Sequence, residues 1–469
     1  MGQEIATTRF RAEDFARYKA RCEHELELLR ALEARGTLSP RGAVAGVELE
    51  AWLVDDLGQP RAINDAFLAR MADPNVVHEL AKFNVELNVE PQPIAGPGLR
   101  RLEAALERTW RGCLDAAAGL DATLLAIGIL PTLRDSMLCP ANMSTSKRYK
   151  AINDQVLRQR EGRPIRLDIV GREHMRTEHR DVMLEAAATS FQVHLQVPAA
   201  QAVRYYNAAL VASAATVAVA ANSPLLFGRL LWEETRVPVF EQSMGVESAR
   251  RVGFGSGYAR ESIVELFAEN CAFYPPLLPI DLEEPQSALA HLRLHNGTIW
   301  RWNRPLVGFD GDGRAHLRIE HRPLPAGPTI ADMAANMAFF HGLVESLARA
   351  PRPPEQALPF SAAKQNFYEA ARLGLAASVD WIDGQRWSLA RLLPGELLAH
   401  ARAGLEALGV DAAQIDRYLG IVEARAASGQ SGAAWQRGFL ERHGADLGAL
   451  VRVYRELSHA GAPVHTWDV

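Results

Sequence analysis

The sequence predicts an α+β protein with a mostly antiparallel, curved sheet, a polar concave face on that sheet, helices on its apolar side, and a helical C-terminal section. Three observations support this fold class. Four short segments alternate polar and apolar residues as half-buried strands do, and longer segments between them show helical spacing of apolar residues. Residues 361–469 are rich in Ala, Leu and Arg and contain no strand-like run.

The first part of the chain supplies two of the strands and two of the helices. Apolar side chains recur near helical spacing over residues 12–35, and an alternating strand follows at residues 46–50. The sequence Asp55-Asp56-Leu57-Gly58 is typical of a hairpin turn. A second strand is expected at residues 83–88, and a long helix is expected over residues 99–125.

The middle of the chain repeats this mixture of helices and strands. Residues 149–160 have a helical pattern, and a strand at residues 190–197 leads into an alanine-rich helix over residues 208–221. That helix is expected to stop at Asn222-Ser223-Pro224, because proline does not continue a helix. A further helix is expected over residues 330–349.

Glycine-rich and proline-rich segments divide the rest of the chain. Residues 308–313 lie between two strand-like runs and predict a hairpin loop. Residues 253–257 lack the lysine and the preceding buried strand of a phosphate-binding loop, and we interpret them as a mobile loop. The proline-rich residues 350–354 predict a boundary between a first unit over residues 1–350 and a helical region over residues 355–469.

The strands are expected to present an unusual polar face. Successive side chains of a strand point to opposite faces, so every second residue shares a face. The shared sets are Glu48 with Glu50, Gln192 with His194 and Gln196, and His316 with Arg318, Glu320 and Arg322. A solvated face gives the same alternation in any single strand, but it normally carries lysine, and these segments have almost none. Neighbouring carboxylates repel each other, so Glu48, Glu50 and Glu86 on one face predict a bound cation.

Composition excludes several classes of function. The chain has 469 residues, 48% of them hydrophobic and 23% charged, and its formal net charge is -5 with both signs interspersed. This predicts small-molecule partners and neither a nucleic-acid nor a membrane partner. The four cysteines lack zinc-site spacing, residues 1–4 do not begin a signal peptide, and residues 208–221 are too few to span a bilayer. We therefore expect a cytoplasmic protein.

The same segments resemble the glutamate-cysteine ligase superfamily, in particular its bacterial ATP-dependent carboxylate-amine ligases, which share the catalytic fold of glutamine synthetase. The resemblance covers most of the chain in order. The segments that carry it are Gly46–Glu50, Val85–Leu87, Val193–Leu195, Ala221–Pro224, Gly297–Trp302, Arg318–Arg322, Asn366–Gly374 and Ser428–Gly432. It implies that residues 1–350 form a catalytic domain that joins a glutamate-like carboxylate to cysteine or another amine. It also implies an acyl-phosphate intermediate, with ATP and Mg²⁺ or Mn²⁺ as cofactors.

The resemblance also implies roles for individual residues. It implies that the metal ligands are Glu48, Glu50, Glu79, Glu86, His194 and Glu320. Glu320 and Arg322 are the expected catalytic residues, with Arg322 contacting phosphate, and the expected substrate-binding residues are Ser146, Arg148 and Tyr149. Mg²⁺ prefers oxygen ligands, and a guanidinium group can hold two phosphate oxygens, so these residue types suit ATP chemistry.

Several assignments have alternatives. Arg301, Arg304 and Arg372 are candidate anchors for phosphate or carboxylate, with surface ion pairing as the alternative. His194 taken alone would suit a structural histidine, and Glu79 taken alone would suit an exposed helical residue. We interpret Trp300 and Trp302 as partly core and partly wall of the site.

The function also has alternatives at this stage. Many relatives carry an aspartate three residues after the arginine equivalent to Arg322, but this chain has Pro325, which predicts a different acceptor preference. A nucleotide- or metal-binding regulatory homologue without turnover stays open, and so does homo-oligomerisation. A hydrolase that uses the same metals is a third possibility, but the sequence contains no nucleophile elbow or HExxH motif to support it.

Overall fold

The structure is a computed structural model, and it describes residue 5, residues 7–246 and residues 249–469. The prediction about a signal peptide concerns residues 1–4, which lie outside the described residues. The strands of three or more residues in the structure are β1 (Val44–Val54), β2 (Val76–His78), β3 (Asn84–Pro93), β4 (Thr123–Leu125), β5 (Ile165–Val170), β6 (His174–His179), β7 (Phe191–Val197), β8 (Asn303–Phe309), β9 (Ala315–His321), β10 (Ser378–Asp380) and β11 (Arg386–Ser388).

Seven of these strands form one antiparallel sheet that curls into a half-barrel. The strand order is β8-β9-β7-β1-β3-β2, and β4 pairs with the end of β1. Hydrogen-bonding register places Glu320 of β9 opposite His194 of β7, and it places Glu50 of β1 opposite Glu86 of β3. The alternation predicted from the sequence is therefore present, and β8 and β9 form the predicted hairpin.

The helices of the first two thirds of the chain are α1 (Ala12–Ala34), α2 (Asn64–Met71), α3 (Gly98–Ala118), α4 (Lys147–Gln159), α5 (Ala202–Ala220), α6 (Arg236–Ser243), α7 (Val264–Phe273) and α8 (Ala290–Asn296). Those that follow are α9 (Ile330–Arg349), α10 (Pro354–Ala357), α11 (Phe360–Leu373), α12 (Leu389–Leu392), α13 (Leu398–Ala407), α14 (Ala412–Ser428), α15 (Gly432–His443) and α16 (Leu447–Ala460). No helix in the described part of the chain is long and apolar enough to cross a membrane.

The apolar side of the sheet packs against α5 and α9. In β7 the residues that face these helices are Val193, Leu195 and Val197, each at most 1% exposed. Helix α5 is buried almost all round because it lies between the sheet, α9 and α11, which explains why its sequence is rich in alanine. The predicted α+β class, with a polar concave face, helices on the apolar side and a helical C-terminal section, is confirmed.

Two predictions about local structure are wrong. The helix expected over residues 99–125 ends at Ala118, because the chain turns at Gly119 and Asp121 and then pairs β4 with β1. Asp121 adopts a left-handed conformation with φ 50, which a helix does not continue through. The C-terminal section also contains the short hairpin β10–β11, which the sequence did not predict.

The C-terminal helices pack against the same core as the sheet. Arg425 of α14 donates to Asp332 of α9 at 2.7 Å, and both side chains are buried. The backbone N–H of Val464 donates to the same carboxylate at 3.0 Å. These contacts join the two regions at α9, and the division of the chain near residue 350 stays a prediction.

Candidate active site

A first group of metal-ligand side chains lies where β1, β7 and β9 are neighbours. Glu48, His194 and Glu320 each offer one ligand atom, and these atoms lie within 4.8 Å of one another. His194 Nε2 is 3.2 Å from Glu48 Oε1 and 3.9 Å from Glu320 Oε1. All three side chains are buried. We call this group the histidine cluster.

A second group lies further along the same polar face. Glu50, Glu79 and Glu86 also place one carboxylate oxygen each within 4.8 Å of one another. Glu50 and Glu86 come from the paired strands β1 and β3, and Glu79 comes from the loop after β2 rather than from a helix. We call this group the glutamate cluster. The structure thus brings all six predicted metal ligands together in two sets of three.

The two clusters differ in their charge balance. Both carboxylate oxygens of Glu320 accept from Arg304, at 2.7 and 2.9 Å, and Arg322 donates to the same group at 3.2 Å. Burial raises the pKa of Glu320, but these two arginines outweigh burial and hold it well below its usual range. Burial likewise raises the pKa of Glu48, and His194 more than offsets that effect.

Among the described residues, the glutamate cluster has fewer cations close to it than the histidine cluster has. Burial raises the pKa of Glu86 to about 7, and the neighbouring carboxylate of Glu48 adds to the shift. Burial also raises the pKa of Glu79 well above its ordinary value, with repulsion from Glu50 and Glu86 as the next causes. Burial raises the pKa of Glu50 as well, although Arg322 and Ser190 oppose it. Three neighbouring carboxylates whose pKa values are raised in this way are typical of a cation site.

The donor sets fit divalent cations. Carboxylate oxygens with one imidazole suit Mg²⁺ or Mn²⁺, which take mainly oxygen ligands. Glu48 Oε2 and His194 Nε2 are buried and make no hydrogen bond, so each has a lone pair free for a metal. A bound cation would satisfy these atoms and reduce the repulsion among the glutamates.

A cavity of about 90 Å³, which we call the Trp300 cavity, opens beside the glutamate cluster. The residues that line it are Glu50, Glu79, Leu80, Glu86, Arg148, Tyr149, Ile152, Val182, Glu185, Gln192, Met244, Gly297, Trp300 and Arg322. It therefore combines four acids, three of them the glutamate cluster, with two arginines and an apolar wall.

A cavity of about 270 Å³, which we call the Arg318 cavity, opens at the other end of the polar face. Its wall includes Glu48, His194, Gln196, His316 and Arg318. The strand β7 contributes Gln192 to the first cavity and Gln196 to the second, so the two cavities follow one strand. Two ligands can thus approach the clusters from different ends.

The sequence matches the model of glutamate-cysteine ligase family 2 over residues 44–456. The chain belongs to this family. Its fold is similar to that of a glutamate-cysteine ligase from Francisella tularensis in complex with AMP, with 13% identity and a TM-score of 0.61 over 91% of this chain and 89% of that chain. A bifunctional glutathione synthetase from Pasteurella multocida matches at 11% identity and a TM-score of 0.49, over 92% of this chain and 54% of that chain. No curated protein matches the sequence.

In this member of the glutamate-cysteine ligase family, Arg322 lies between the two clusters. Its Nη1 donates to Glu320 and to the amide oxygen of Gln192, and its Nε is buried without a hydrogen-bond partner. Its charge lowers the pKa of both Glu320 and Glu50. Arg322 also lines the Trp300 cavity, so its guanidinium group can contact a ligand there.

The predicted substrate-binding residues have different positions. Arg148 and Tyr149 line the Trp300 cavity, and the Tyr149 hydroxyl donates to the carbonyl of His78 at 3.0 Å. Ser146 is the N-cap of α4, and its hydroxyl accepts from the backbone N–H of Arg148 at 3.3 Å. Ser146 therefore positions Arg148 rather than lining the cavity.

The remaining predicted arginines also separate. Arg304 is fully buried against Glu320 and lines a further cavity that shares Arg148 and Arg318 with the two described above. Arg301 faces a different cavity and pairs with Glu269 at 3.0 Å. Arg372 is exposed at the end of α11 and lines none of these cavities. The structure thus joins one of these three arginines, Arg304, to the clusters.

Glu185 is a site residue that the sequence did not reveal. It lies in a short 3-10 helix, Met183–Ala187, and lines the Trp300 cavity. Burial raises the pKa of Glu185 to about 8, and Glu50 raises it further while Arg322 opposes the shift. The only signal in the sequence is a single acidic residue within an apolar run, and such residues are common at positions that have no functional role.

Proposed function

We propose that this chain joins a glutamate-like amino-acid carboxylate to an amine in the cytoplasm, using ATP and an acyl-phosphate intermediate. The observation that supports it best is the pair of clusters, with Arg322 between them, on one polar sheet face. In the first step a carboxylate oxygen of the acid attacks the γ-phosphorus of ATP and ADP leaves. In the second, the amine attacks the acyl carbon, phosphate leaves and the nitrogen loses a proton.

The histidine cluster and the glutamate cluster are the residues that would each hold a divalent cation. When bound, Mg²⁺ or Mn²⁺ neutralises charge on the phosphates of ATP. Arg322 would stabilise the γ-phosphoryl group, a role supported by the position of its guanidinium between both clusters and by the ability of that group to hold two oxygens at once. Phosphoryl transfer depends mainly on positioning and charge neutralisation, which these residues supply.

The Trp300 cavity suits the amino-acid substrate. Arg148 can pair with a carboxylate that does not react, and Glu185 can accept a hydrogen bond from an ammonium group. Trp300, Met244 and Tyr149 form an apolar wall that excludes water from the acyl phosphate. The Arg318 cavity at the other end, about 270 Å³ in volume, suits the nucleotide.

The acceptor amine is expected to differ from that of relatives with an aspartate three residues beyond the arginine equivalent to Arg322. Pro325 is buried and forms a bridge with Ser190, whose N–H and hydroxyl donate to Glu50 at 2.7 and 2.8 Å. Pro325 thus contacts the glutamate cluster through Ser190, and it offers no acidic group to an incoming amine. A broad panel of amines is therefore the right test.

The test measures ADP release over a matrix of amino acids and amines, with the product masses read afterwards. Formation of ADP and an amide with at least one pair, abolished by excess chelator, is the expected result. The Glu48→Gln variant serves as the inactive control. Amide formation in excess chelator would contradict the proposal. ATP binding with no ADP release from any pair of amino acid and amine would also contradict it, and would favour a regulatory homologue.

A further inference from the structure

The cavity that Arg301 faces, of about 180 Å³, lies on the other side of the short strand that carries Trp300. This strand, Trp300–Arg301, pairs in parallel with Val252–Gly253. Trp300 lines the Trp300 cavity, whereas Arg301 and Gly253 line this one, which we call the Arg251 cavity. The described residues that line the two cavities are entirely different.

The wall of the Arg251 cavity has an excess of positive charge. Its cations are Arg250, Arg251, Arg301 and Lys364, and its carboxylates are Glu241 and Glu269. Four positive and two negative side chains leave a formal charge of two positive units, 4 − 2 = 2. A cavity with such an excess attracts small anions.

The two carboxylates are already engaged by other donors. Glu241 accepts from the Trp302 indole N–H at 2.8 Å and from the Tyr368 hydroxyl at 2.7 Å. Glu269 accepts from the Ser256 hydroxyl at 2.7 Å and pairs with Arg301 at 3.0 Å. Glu241 and Glu269 therefore do not neutralise Arg251.

Arg251 is a buried cation without an acidic partner among the described residues. Its side chain is 1% exposed, and it donates to the carbonyl oxygens of Thr298 and Pro275 and to the Gln159 amide oxygen. Its Nε is buried and makes no hydrogen bond. Burial lowers the pKa of Arg251 to about 10, which reflects the cost of an unpaired charge there.

Arg301, which lines the same cavity, also has an unpaired donor. Its Nη2 contacts Glu269 and the Asn270 side-chain oxygen, each at 3.0 Å, but its Nε is buried and unpaired. The hydroxyl of Tyr206, which interacts electrostatically with Arg301, is also buried without a hydrogen-bond partner. Two arginines that line this cavity thus each have a buried donor without an acceptor, which is rare unless a ligand or ordered water completes the site.

We propose that the Arg251 cavity binds a small dianion, either a dicarboxylate or a phosphate monoester, at a site separate from the clusters. The unpaired Nε groups of Arg251 and Arg301 can each donate to such an anion, and its two charges match the excess of the wall. Gly253 leaves open space on one side, because a Cβ added there meets no atom within 4 Å. The cavity therefore has room beside its cations for the body of the ligand.

Isothermal titration of the full chain with inorganic phosphate and, separately, with succinate tests this proposal. We expect saturable binding with a Kd of about 1 mM or tighter for at least one probe. The arm that binds distinguishes a phosphate site from a carboxylate site. Gly253→Asp adds a negative charge to the wall and should weaken binding at least tenfold, and Gly257→Asp is the matched control because its Cβ also meets open space but Gly257 does not line the cavity.

Two further variants keep the result interpretable. Lys364→Glu changes an exposed residue of the wall, so it should weaken binding without disturbing the core. Arg322→Lys changes the clusters and not the Arg251 cavity, so it should weaken binding only if the probe binds at the clusters. Binding lost in Gly253→Asp and Lys364→Glu but retained in Gly257→Asp and Arg322→Lys supports the proposal. No saturable binding of either probe would overturn it, and so would binding lost only in Arg322→Lys.

Discussion

The histidine cluster and the glutamate cluster lie on one sheet face, but their charges are balanced in different ways. The histidine cluster contains Glu320, which is fully buried and held by Arg304 and Arg322. The glutamate cluster contains only acids, and burial with mutual repulsion raises the pKa of Glu86 to about 7. The protein supplies counter-charges at one cluster and leaves them to a ligand at the other.

This difference separates two contributions of the same residue type. A carboxylate of the histidine cluster is part of a buried ion network, so its removal should destabilise the fold in addition to removing a proposed metal ligand. A carboxylate of the glutamate cluster has no such network, so we expect it to cost stability until the proposed cation binds. Replacing a carboxylate of the histidine cluster should therefore lower stability, and replacing one of the glutamate cluster should raise it when no cation is bound. Both substitutions should lower activity.

Glu320→Gln is expected to have the largest effect. It removes a proposed metal ligand and leaves Arg304 and Arg322 without their carboxylate, so it should lower turnover about 10²–10³-fold. It should also lower the free energy of unfolding by about 3–5 kcal/mol, because breaking a buried ion pair leaves uncompensated charge. Steady-state ADP release and urea unfolding measure the two effects. Glu320→Gln therefore does not separate catalysis from folding.

Glu345→Gln on α9 is the control for this substitution. Glu345 is 1% exposed and pairs with Arg349, but it lies on the opposite side of the sheet from the clusters. We expect Glu345→Gln to lower stability while retaining turnover. Wild-type turnover in folded Glu320→Gln would remove Glu320 from the site.

Arg322→Lys is expected to have the next largest effect, because Arg322 connects the two clusters. Lysine keeps the charge but loses the planar contact with two oxygens. We expect kcat to fall about 10²-fold while the KM for ATP changes much less, because the contact strengthens as the γ-phosphoryl group transfers. Arg372→Lys is the matched control, since Arg372 is exposed and lines none of the cavities described above. An unchanged kcat in Arg322→Lys would leave Arg304 as the phosphate anchor.

Strand periodicity is a local property, so it predicted the polar face, whereas the six metal ligands were implied by the family resemblance. Glu48 and Glu50 share a face whatever strand pairs with β1, and the same holds for Glu320 and Arg322 at the end of β9. Two features of the clusters were not local. The pairing of Arg304 with Glu320 depends on the β8–β9 register, and the position of Glu79 beside Glu50 and Glu86 depends on the loop after β2.

Other residues escaped prediction for comparable reasons. Glu185 lies in a short 3-10 helix, which has no periodicity that would indicate a face. Arg301 is a candidate phosphate anchor by sequence, but its strand pairs with Val252–Gly253 outside the main sheet and turns the side chain toward the Arg251 cavity. The end of α3 depended on the left-handed turn at Asp121, a conformation that the residue type does not require.

The opposite signs of stability are best tested with Glu86→Gln and Glu48→Gln. In chelator above neutral pH, Glu86→Gln removes a buried carboxylate that repels its neighbours, so the free energy of unfolding should rise by about 1 kcal/mol. Glu48→Gln removes the partner of His194, so this free energy should fall by about 1–3 kcal/mol. Saturating Mg²⁺ should stabilise the wild type more than either variant. Equal destabilisation of both variants in chelator would refute the comparison.

Glu185→Gln should change how the free energy of unfolding depends on pH. Burial raises the pKa of Glu185 from 4.5 to about 8, so the native state holds a proton that the unfolded chain has released across this interval. The unfolded state then binds fewer protons, and the free energy of unfolding must fall as pH rises through the interval. For each pH unit crossed, one such proton changes this free energy by about 1.4 kcal/mol, and contact of Glu185 with solvent reduces the total effect.

Urea unfolding in chelator between about pH 5 and pH 8 measures this slope. We expect Glu185→Gln to flatten the decline in stability that the wild type shows, because glutamine does not titrate. Glu178→Gln is the control, since Glu178 lies on the exposed hairpin β5–β6 and pairs there with Arg166 at 2.7 Å. A flattened slope would extend the unbalanced charge of the glutamate cluster to the wall of the Trp300 cavity. An unchanged slope in Glu185→Gln would confine that imbalance to Glu50, Glu79 and Glu86.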